Sequence, residues 1–288
     1  MTDRPLVSVI IPYYHDIETI ERALVSVADQ SFADFEIIIV DDNSSQVPGD
    51  FHVPGCTAPL RVIRHDENKG VAAARNTGIL SSAGRWVAFL DADDVWHADK
   101  LARQIAALEA GTACGSVTGF ALYRDHAGPP KIHIPNDPAP LLHQLALGCT
   151  LSPGSTLIVL REVFNYIGLY DDRLRRLEDW DWLIRYAKHY QLVALPECLT
   201  DIHVSRKKQS QNLTPILGAS AVIRERFLPV MTKIGRRRHF LSTLLLENAA
   251  AYFRARQWVP AIVMAVRASI LQPMIIGRIA KRFLSIDR

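Results

Sequence analysis

Short apolar runs and helical patterns alternate through the first part of the chain. Runs rich in β-branched and aromatic residues predict buried strands at 6–11, 35–40, 60–64 and 86–90. Apolar or small residues at helical spacing predict helices at 17–28, 71–80 and 98–109. Continuous apolar strands that alternate with helices are typical of a parallel sheet with helices on both faces. The pattern therefore predicts an α/β fold with a mostly parallel central sheet.

The second part of the chain has a less regular pattern. It predicts strands at 116–123, 155–160, 192–195 and 198–203, a helix that contains Trp180, and loops at 125–140 and 205–211. From about Pro215 onward the pattern is helical, with a helix pair at 240–257 and 261–272. The apolar stretch 259–276 contains Arg267 and two prolines. It is therefore a poor candidate for a membrane span, and a position on a membrane surface stays open as the alternative.

The net charge of +3 over 288 residues conceals a strong asymmetry along the chain. Residues 219–288 carry thirteen Lys or Arg and three Asp or Glu, a net charge of +10. Residues 1–218 carry twenty and twenty-seven, a net charge of −7. A basic tail on an acidic body indicates contact with an anionic surface such as a cytoplasmic leaflet, or equally well a set of solvated helix faces.

The four cysteines, Cys56, Cys114, Cys149 and Cys198, show no metal-binding or redox spacing. Isolated thiols are typical of a reducing compartment. The N-terminal residues run directly into the first predicted strand and lack the charged start and apolar stretch of a signal peptide. We therefore expect a cytoplasmic protein, at the inner face of the membrane if its tail binds lipid.

Three carboxylates, Asp91, Asp93 and Asp94, directly follow the predicted strand at 86–90. Carboxylates this close repel one another unless a cation or a basic group neutralises them. Mg²⁺ and Mn²⁺ prefer oxygen ligands and commonly bridge one or two carboxylates to phosphates. The cluster therefore indicates a metal–diphosphate site. The alternative is an acidic helix start with Asp94 or Asp99 as the cap.

Other predicted strands also end in polar residues, and the carboxyl ends of parallel strands meet at one edge of a sheet. Pro12 and Tyr13 follow the first strand, and Asp42 follows the second. The Asp42 carboxylate is suited to accept hydrogen bonds from a ribose or a base, although 41–45 is also good turn sequence. Arg75 is suited to bind phosphates, or is a surface arginine. The absence of Walker and G-x-G-x-x-G motifs disfavours P-loop and dinucleotide-binding proteins.

A second acidic cluster, Glu178, Asp179 and Asp181, surrounds the start of a predicted helix. The helix dipole keeps a carboxylate in the first turn ionised, which suits a general base. The alternative is structural: Asp179 caps the helix and Asp181 pairs with Arg185 at i,i+4. His203, at the end of a predicted strand, is a candidate to complete a metal site or to contact phosphate.

Taken together, four runs of this sequence resemble the family 2 glycosyltransferases with the GT-A fold, over about residues 5–205: VSVIIPYY, VDDNSS, NKGVAAARNTGILSSAGRWVAFLDADDVW and LEDWDWLIR. The resemblance implies a Rossmann-like, mostly parallel sheet with helices on both faces and a C-terminal helical extension. It implies a metal-dependent, inverting transfer of sugar from a nucleotide-diphosphate sugar, often UDP-linked, with Mn²⁺ or Mg²⁺. The acceptor would be a hydroxyl of a saccharide or a lipid-linked molecule, in bacterial polysaccharide or glycoconjugate synthesis.

The resemblance also assigns roles to residues and ranges. Pro12, Tyr13, Asp42 and Arg75 would line the nucleotide pocket, and Asp91 and Asp93 would form the Asp-x-Asp motif. Asp93 would be the direct metal ligand, Asp94 would share that role, and His203 would lie near the diphosphate. Asp179, beside Glu178, would be the base, with Asp181 as its competitor. The expected domains are 1–212, with a nucleotide-sugar half at 1–110 and an acceptor half at 111–212, and a basic helical extension at 213–288.

Two other functions are compatible with this pattern. A sugar nucleotidyltransferase has a Gly-rich, basic loop after its first strand, but IPYYHD stands at that position. A non-catalytic nucleotide-sugar sensor or scaffold is disfavoured because both carboxylate clusters are intact. We expect no nucleic-acid partner. The acceptor loops at 125–150 match no pattern that would identify the acceptor.

Overall fold

The computed structural model describes residues 4–45, 51, 53, 55–124, 128–135, 139–204 and 212–273. The chain divides into two compact units that are each discontinuous in sequence. The first comprises Met1–Asp137, Leu151–Asp172 and His189–Val204, and the second comprises Pro138–Thr150, Arg173–Lys188 and Ser205–Arg288. The functional division predicted at 110/111 and 212/213 stays a prediction.

The first unit is built on a nine-stranded sheet in the order β3-β2-β1-β4-β8-β6-β9-β5, with β7 paired to β6. The strands are β1 Val7–Tyr13, β2 Phe35–Asp41, β3 Leu60–Arg64, β4 Trp86–Phe89, β5 Val95–Trp96, β6 Gly115–Arg124, β7 Lys131–His133, β8 Ile158–Leu160 and β9 Val193–Val204. Strands β1 to β4 are parallel, as is β6 to β9, whereas β5, β7 and β8 pair antiparallel. This mixed sheet, together with the helices that cover it, confirms the predicted fold class.

Helices cover both faces of β1, because its successive side chains point to opposite sides of the sheet. Val9 and its neighbours on one face pack in a core with α1 Ile17–Ala28 and α3 Lys100–Glu109. On the other face Ile10 lies so close to α2 Val71–Ser81 that a Cβ at Gly78 would collide with it. Two short helices, α5 Pro153–Thr156 and α6 Val163–Ile167, complete this unit.

The second unit is helical. It contains α4 Leu141–Leu145, α7 Glu178–Ala187, α8 Thr214–Lys233, α9 Arg237–Arg254 and α10 Trp258–Leu271. Trp180 of α7 is buried, stands edge-on to Phe240 of α9 at 5.8 Å, and donates through Nε1 to the Leu145 carbonyl at 2.9 Å. The helical tail predicted from Pro215 onward is confirmed as far as residue 273. Across the described residues, no helix has the length and apolarity needed to cross a membrane.

Several predicted boundaries were wrong. Strand β1 continues through Pro12, whose missing N–H is harmless because pairing with β4 ends at Ile10. The strand predicted at 155–160 begins only at Ile158, because a Ser-Pro-Gly sequence first forms the helical turn α5.

The two strands predicted at 192–195 and 198–203 are one strand, β9. It contains an irregularity, since Leu195 and Cys198 oppose the consecutive residues Thr118 and Gly119 of β6. The loop predicted at 125–140 contains strand β7. Residues 125–127 and 136–138 of that loop, and the loop predicted at 205–211, lie outside the described residues.

Candidate active site

Asp42 anchors the turn that begins α2. Its carboxylate is buried, lies 2.8 Å from His65 Nδ1, and accepts from the backbone N–H groups of Lys69 at 2.8 Å and Gly70 at 2.7 Å. Gly70 has a φ of +90°, a conformation that favours glycine. Both Asp42 oxygens are therefore engaged by the protein. The turn predicted at 41–45 is formed through Asp41 instead, whose Oδ1 accepts from the Ser44 N–H at 2.9 Å. The predicted nucleotide contact of Asp42 stays a prediction.

Arg75 and Asp91 form an ion pair across the ends of α2 and β4. Arg75 Nη2 donates to Asp91 Oδ1 at 2.8 Å, and the guanidinium lies 5.6 Å from the Tyr170 ring centroid. The Arg75 side chain is 5% exposed, so its interpretation as a surface arginine was wrong, whereas the Asp91 side chain is 36% exposed. A buried positive charge thus fixes a carboxylate that still faces solvent.

Asp94 is buried beneath that pair. Its Oδ2 accepts from the Ser155 hydroxyl, and its Oδ1 accepts from the His203 backbone N–H at 2.9 Å. Burial and the nearby Asp91 charge raise the pKa of Asp94 well above its usual range. Asp94 leads into β5 rather than a helix, whereas Asp99 occupies the N-cap position of α3 without a side-chain cap hydrogen bond. The helix-start alternative was therefore wrong for Asp94, and its cap position is confirmed for Asp99.

Asp93 precedes Asp94 in the sequence, and His203 lies next to Asp94 in space. Asp93 is half-buried, and its carbonyl accepts from Arg22 Nη2 at 2.7 Å. The His203 ring stacks on Tyr123 at 5.1 Å, and its buried Nδ1 has no hydrogen-bond partner among the described residues. Burial, followed by the Arg22 charge, lowers the pKa of His203, which favours the neutral imidazole that can ligate a metal.

These residues fit the donor chemistry of a hard divalent cation without forming a complete cage. Within the described ranges, no three His, Cys, Asp or Glu side chains form a group that could hold a metal ion. Mg²⁺ typically binds one or two carboxylates and takes its remaining ligands from water and substrate phosphates. Asp93, Asp94 and His203 are therefore not brought together as a complete ligand group, and the binding of a metal by one or two of them beside a bound diphosphate stays a prediction.

The turn α5 contributes two residues that the sequence analysis missed. The Ser155 hydroxyl accepts from the Asp91 backbone N–H at 3.0 Å while it donates to Asp94, so it links the two carboxylate residues. Gly154 packs against the ion pair: an added Cβ would lie 2.8 Å from Arg75 Nη2 and 3.0 Å from Asp91 Cγ. The signal for this turn was the Ser-Pro-Gly sequence that begins at Ser152.

The nucleotide-pocket prediction for β1 rests on its last residues. The Tyr13 ring is buried in the core, edge-on to Phe51 at 6.1 Å, and its hydroxyl accepts from the Asp16 N–H at 3.3 Å. Pro12 is half-buried, and the following Tyr14 is 51% exposed. The roles predicted for Pro12 and Tyr13 stay predictions, and Tyr14 is the aromatic side chain that this segment presents to solvent.

In the second unit, the acidic cluster of α7 separates into two environments. Asp181 is fully buried between Arg226 of α8 and Arg185, which donates through Nε at 2.9 Å. The predicted i,i+4 pair is thereby confirmed, and Asp181 is occupied structurally. Asp179 is half-buried and accepts from the Trp180 N–H at 2.7 Å. The cap alternative for Asp179 was wrong, because Leu177 is the N-cap residue.

Glu178 directly precedes Asp179 and is buried. Leu177 precedes both residues and has a φ of +62°, which residues other than glycine rarely adopt. Such strained backbone occurs often at functional sites. The geometry is consistent with Asp179 as the base candidate, and that assignment stays a prediction.

Comparison with known proteins gives a consistent result. Residues 8–167, more than half of the chain, match the family described as Glycosyl transferase family 2. The teichuronic acid biosynthesis glycosyltransferase TuaG of Bacillus subtilis is 33% identical over 211 residues, which cover 73% of this chain and 83% of that protein.

Two further proteins are similar to this chain. An Escherichia coli enzyme, named UDP-Glc:alpha-D-GlcNAc-diphosphoundecaprenol beta-1,3-glucosyltransferase WfgD, is 38% identical over 104 residues, 36% of this chain and 41% of that one. The crystal structure of S. aureus TarS 1-349 in complex with UDP-GlcNAc superposes with a TM-score of 0.57 at 15% identity, and covers 93% of this chain and 92% of that one. At that identity the likeness concerns the fold.

Proposed function

Since this chain belongs to glycosyl transferase family 2, we propose that it moves a sugar from a UDP-linked donor to an acceptor hydroxyl, with inversion at the anomeric carbon. The observation that carries this proposal is the buried Arg75 that holds Asp91 open to solvent at the end of β4, where α/β sheets bind ligands. Family membership rules against the sugar nucleotidyltransferase alternative.

The donor assignment draws on the relatives. WfgD is named for a UDP-sugar and TarS was crystallised with one. A UDP-sugar carries a diphosphate, which requires compensating positive charge on departure. We propose that Asp93, with Asp91 or Asp94 and with His203 nearby, would hold Mn²⁺ or Mg²⁺, which would supply that charge when bound. Arg75 orients Asp91 and Asp42 orders the turn before α2.

In this proposal, α7 provides the residue that acts on the acceptor. In the proposed displacement the acceptor oxygen forms a bond to the anomeric carbon as the bond from that carbon to the diphosphate oxygen breaks. The acceptor proton passes to the Asp179 carboxylate, and the nucleoside diphosphate leaves with the bonding electron pair. Asp181 is excluded from this role because two arginines bury and pair its carboxylate.

The donor site is tested by calorimetric titration of UDP into the protein with and without Mn²⁺. We expect binding to depend on metal and to be lost in Asp93→Ala. The matched control is Asp34→Ala, an exposed aspartate just before β2, at the opposite end of that strand from Asp42. Equal UDP binding without metal would remove the metal proposal. No UDP binding by the unmodified protein would remove the UDP donor, and other nucleotides would be tested next.

The base is tested by replacing Asp179 with Asn, which keeps the shape but cannot accept the proton. We expect transfer to fall by about 10²–10⁴-fold, the usual contribution of a general base, with UDP binding retained. Asp172→Asn, an exposed aspartate that precedes α7, is the control. Near-normal transfer by Asp179→Asn would show that another group takes the proton. UDP binding without transfer in the unmodified protein, with every acceptor offered, would favour the non-catalytic alternative.

A further inference from the structure

The last described helix, α10, exposes an apolar face to solvent. Large apolar side chains recur every four residues along one row of this helix, and two more lie beside that row. The row is Trp258, Ile262, Val266 and Ile270, and the two beside it are Val259 and Val263. Their exposed fractions range from 42% to 75%. The inner face is also apolar, since Ala261 and Ala268 are buried and the Ala268 carbonyl accepts from Ser242 of α9 at 2.9 Å. Contiguous exposed apolar surface of this kind marks a contact with a partner or a membrane.

The charge around this face is of one sign. The sequence has six Lys or Arg and no Asp or Glu between Glu247 and Asp287. Arg256 and Arg267 are exposed, and Arg267 continues the row of Val259 and Val263 at the next helical turn. The fifteen residues that follow the described part, 274–288, add four of the basic residues of the chain.

This combination selects one class of occupant. Helices that lie in a membrane interface join an apolar face to Lys and Arg, and tryptophan is enriched at the headgroup level. A second copy of this chain is a poorer fit, because a two-fold contact through α10 would place Arg256 and Arg267 against the same positive charges.

We propose that α10 docks on an anionic phospholipid surface, with its exposed apolar row among the headgroups and Arg256 and Arg267 at lipid phosphates. The contact does not depend on the transfer reaction and holds whether or not the proposed donor is correct. If the acceptor is lipid-linked, as the name of WfgD states for that enzyme, the same contact would hold the protein at its substrate.

Trp258 gives the experiment a built-in reporter. The chain has five tryptophans, all among the described residues, and Trp86, Trp96, Trp180 and Trp182 are at most 3% exposed whereas Trp258 is 52% exposed. Full-length protein would be mixed with phosphatidylcholine vesicles, with or without phosphatidylglycerol, and with brominated lipid as the quencher. We expect quenching only with phosphatidylglycerol and only at low salt, and loss of the quenched signal in Trp258→Phe.

The matched variants distinguish the exposed face of α10 from exposed apolar side chains elsewhere in the chain. Val266→Ser with Ile270→Ser removes side chains that are 52% and 75% exposed, and the control, Val25→Ser with Leu80→Ser, removes side chains that are 49% and 74% exposed elsewhere. We expect vesicle co-sedimentation to weaken at least tenfold in the α10 variant alone, with UDP titration unchanged in both. Undiminished vesicle binding by the α10 variant, or none by the unmodified protein, would overturn the proposal. So would a dimer that this variant dissociates.

Discussion

At the residue scale, the placement of Asp91 depends on three neighbours that are remote in sequence. Arg75 binds its carboxylate, Ser155 binds its backbone N–H, and Gly154 leaves no space on the remaining side. The Asp91 side chain is thus positioned by the Arg75 cation and by the steric limit at Gly154, while part of it remains exposed to solvent. In the proposed reaction, a carboxylate held in this way would meet the donor substrate without first having to reorganise.

This boundary leads to a prediction for Gly154→Ala. The added methyl group forces the Asp91 side chain away from Arg75, because the carboxylate is the movable partner of the clash. Displacements of this size at a reacting centre lower rates by up to about 10²-fold, and we expect a transfer loss of that order. Sugar transfer would be measured beside Gly111→Ala, where an added Cβ meets its nearest atom at 3.7 Å. Unchanged transfer by Gly154→Ala would show that the contact with Asp91 is not limiting.

Positive φ angles, which strain the backbone of residues other than glycine, also occur beside candidate residues. Among the described residues, five other than glycine have positive φ. His15, Asn43 and Leu177 lie in or beside the predicted motifs, and Ser152 begins the turn α5. Each of these conformations costs about 1–3 kcal/mol and persists only where surrounding contacts enforce it. The residue type is compatible with this region at Asn43 and His15, since asparagine and histidine are enriched there, but it gives no signal at Ser152 or Leu177.

At the scale of elements, α7 and α8 are joined by charge inside the second unit. Asp181 of α7 has no exposed surface, and Arg226 of α8 is its second arginine partner. A carboxylate in such a position is stable only while it remains paired. The helix that presents Asp179 is therefore fixed by a residue that lies well beyond the acidic motif in sequence.

Removal of the α8 partner is expected to destabilise this unit. We predict that Arg226→Met lowers the free energy of unfolding by about 1.5 kcal/mol, the low end for a hydrogen bond to a charged group, because Arg226 is partly exposed and Arg185 remains. Urea denaturation would be compared with Arg224→Met, an exposed arginine of the same helix, for which a change within about 0.5 kcal/mol is expected. Equal stability of the two variants would contradict a structural role for the Asp181–Arg226 pair.

The elements differ in how far the sequence predicted them. Strand β2, which is buried along its whole length, follows from its apolar run because the run is short and rich in β-branched residues, which favours a strand over a buried helix segment. The turn α5 and the continuous strand β9 were missed, since β9 is held together by pairing with β6 rather than by its own pattern. Pro196 lies between the two runs that were predicted as separate strands, and the ladder accommodates it at the irregularity.

At the scale of the whole molecule, the candidate residues were predictable by type and their connections were not. Carboxylates after β4 stand out in a short window, but the groups that bind Asp94 come from Ser155 and His203, 61 and 109 residues away. Nothing in a local window indicates such pairings. The family resemblance named the motif positions, and the fold shows which of them, such as Asp42 and Asp181, the protein itself occupies.

The Asp181–Arg226 pair also bears on how this protein can be recombined. A chimera that took its first 212 residues from this chain and its remaining helices from a distant relative would inherit a buried acidic group and leave behind one of its two counterions. The motif helix and the helix that follows it must therefore be exchanged together, or not at all. A boundary that keeps the pair intact lies farther along the chain, past Arg226.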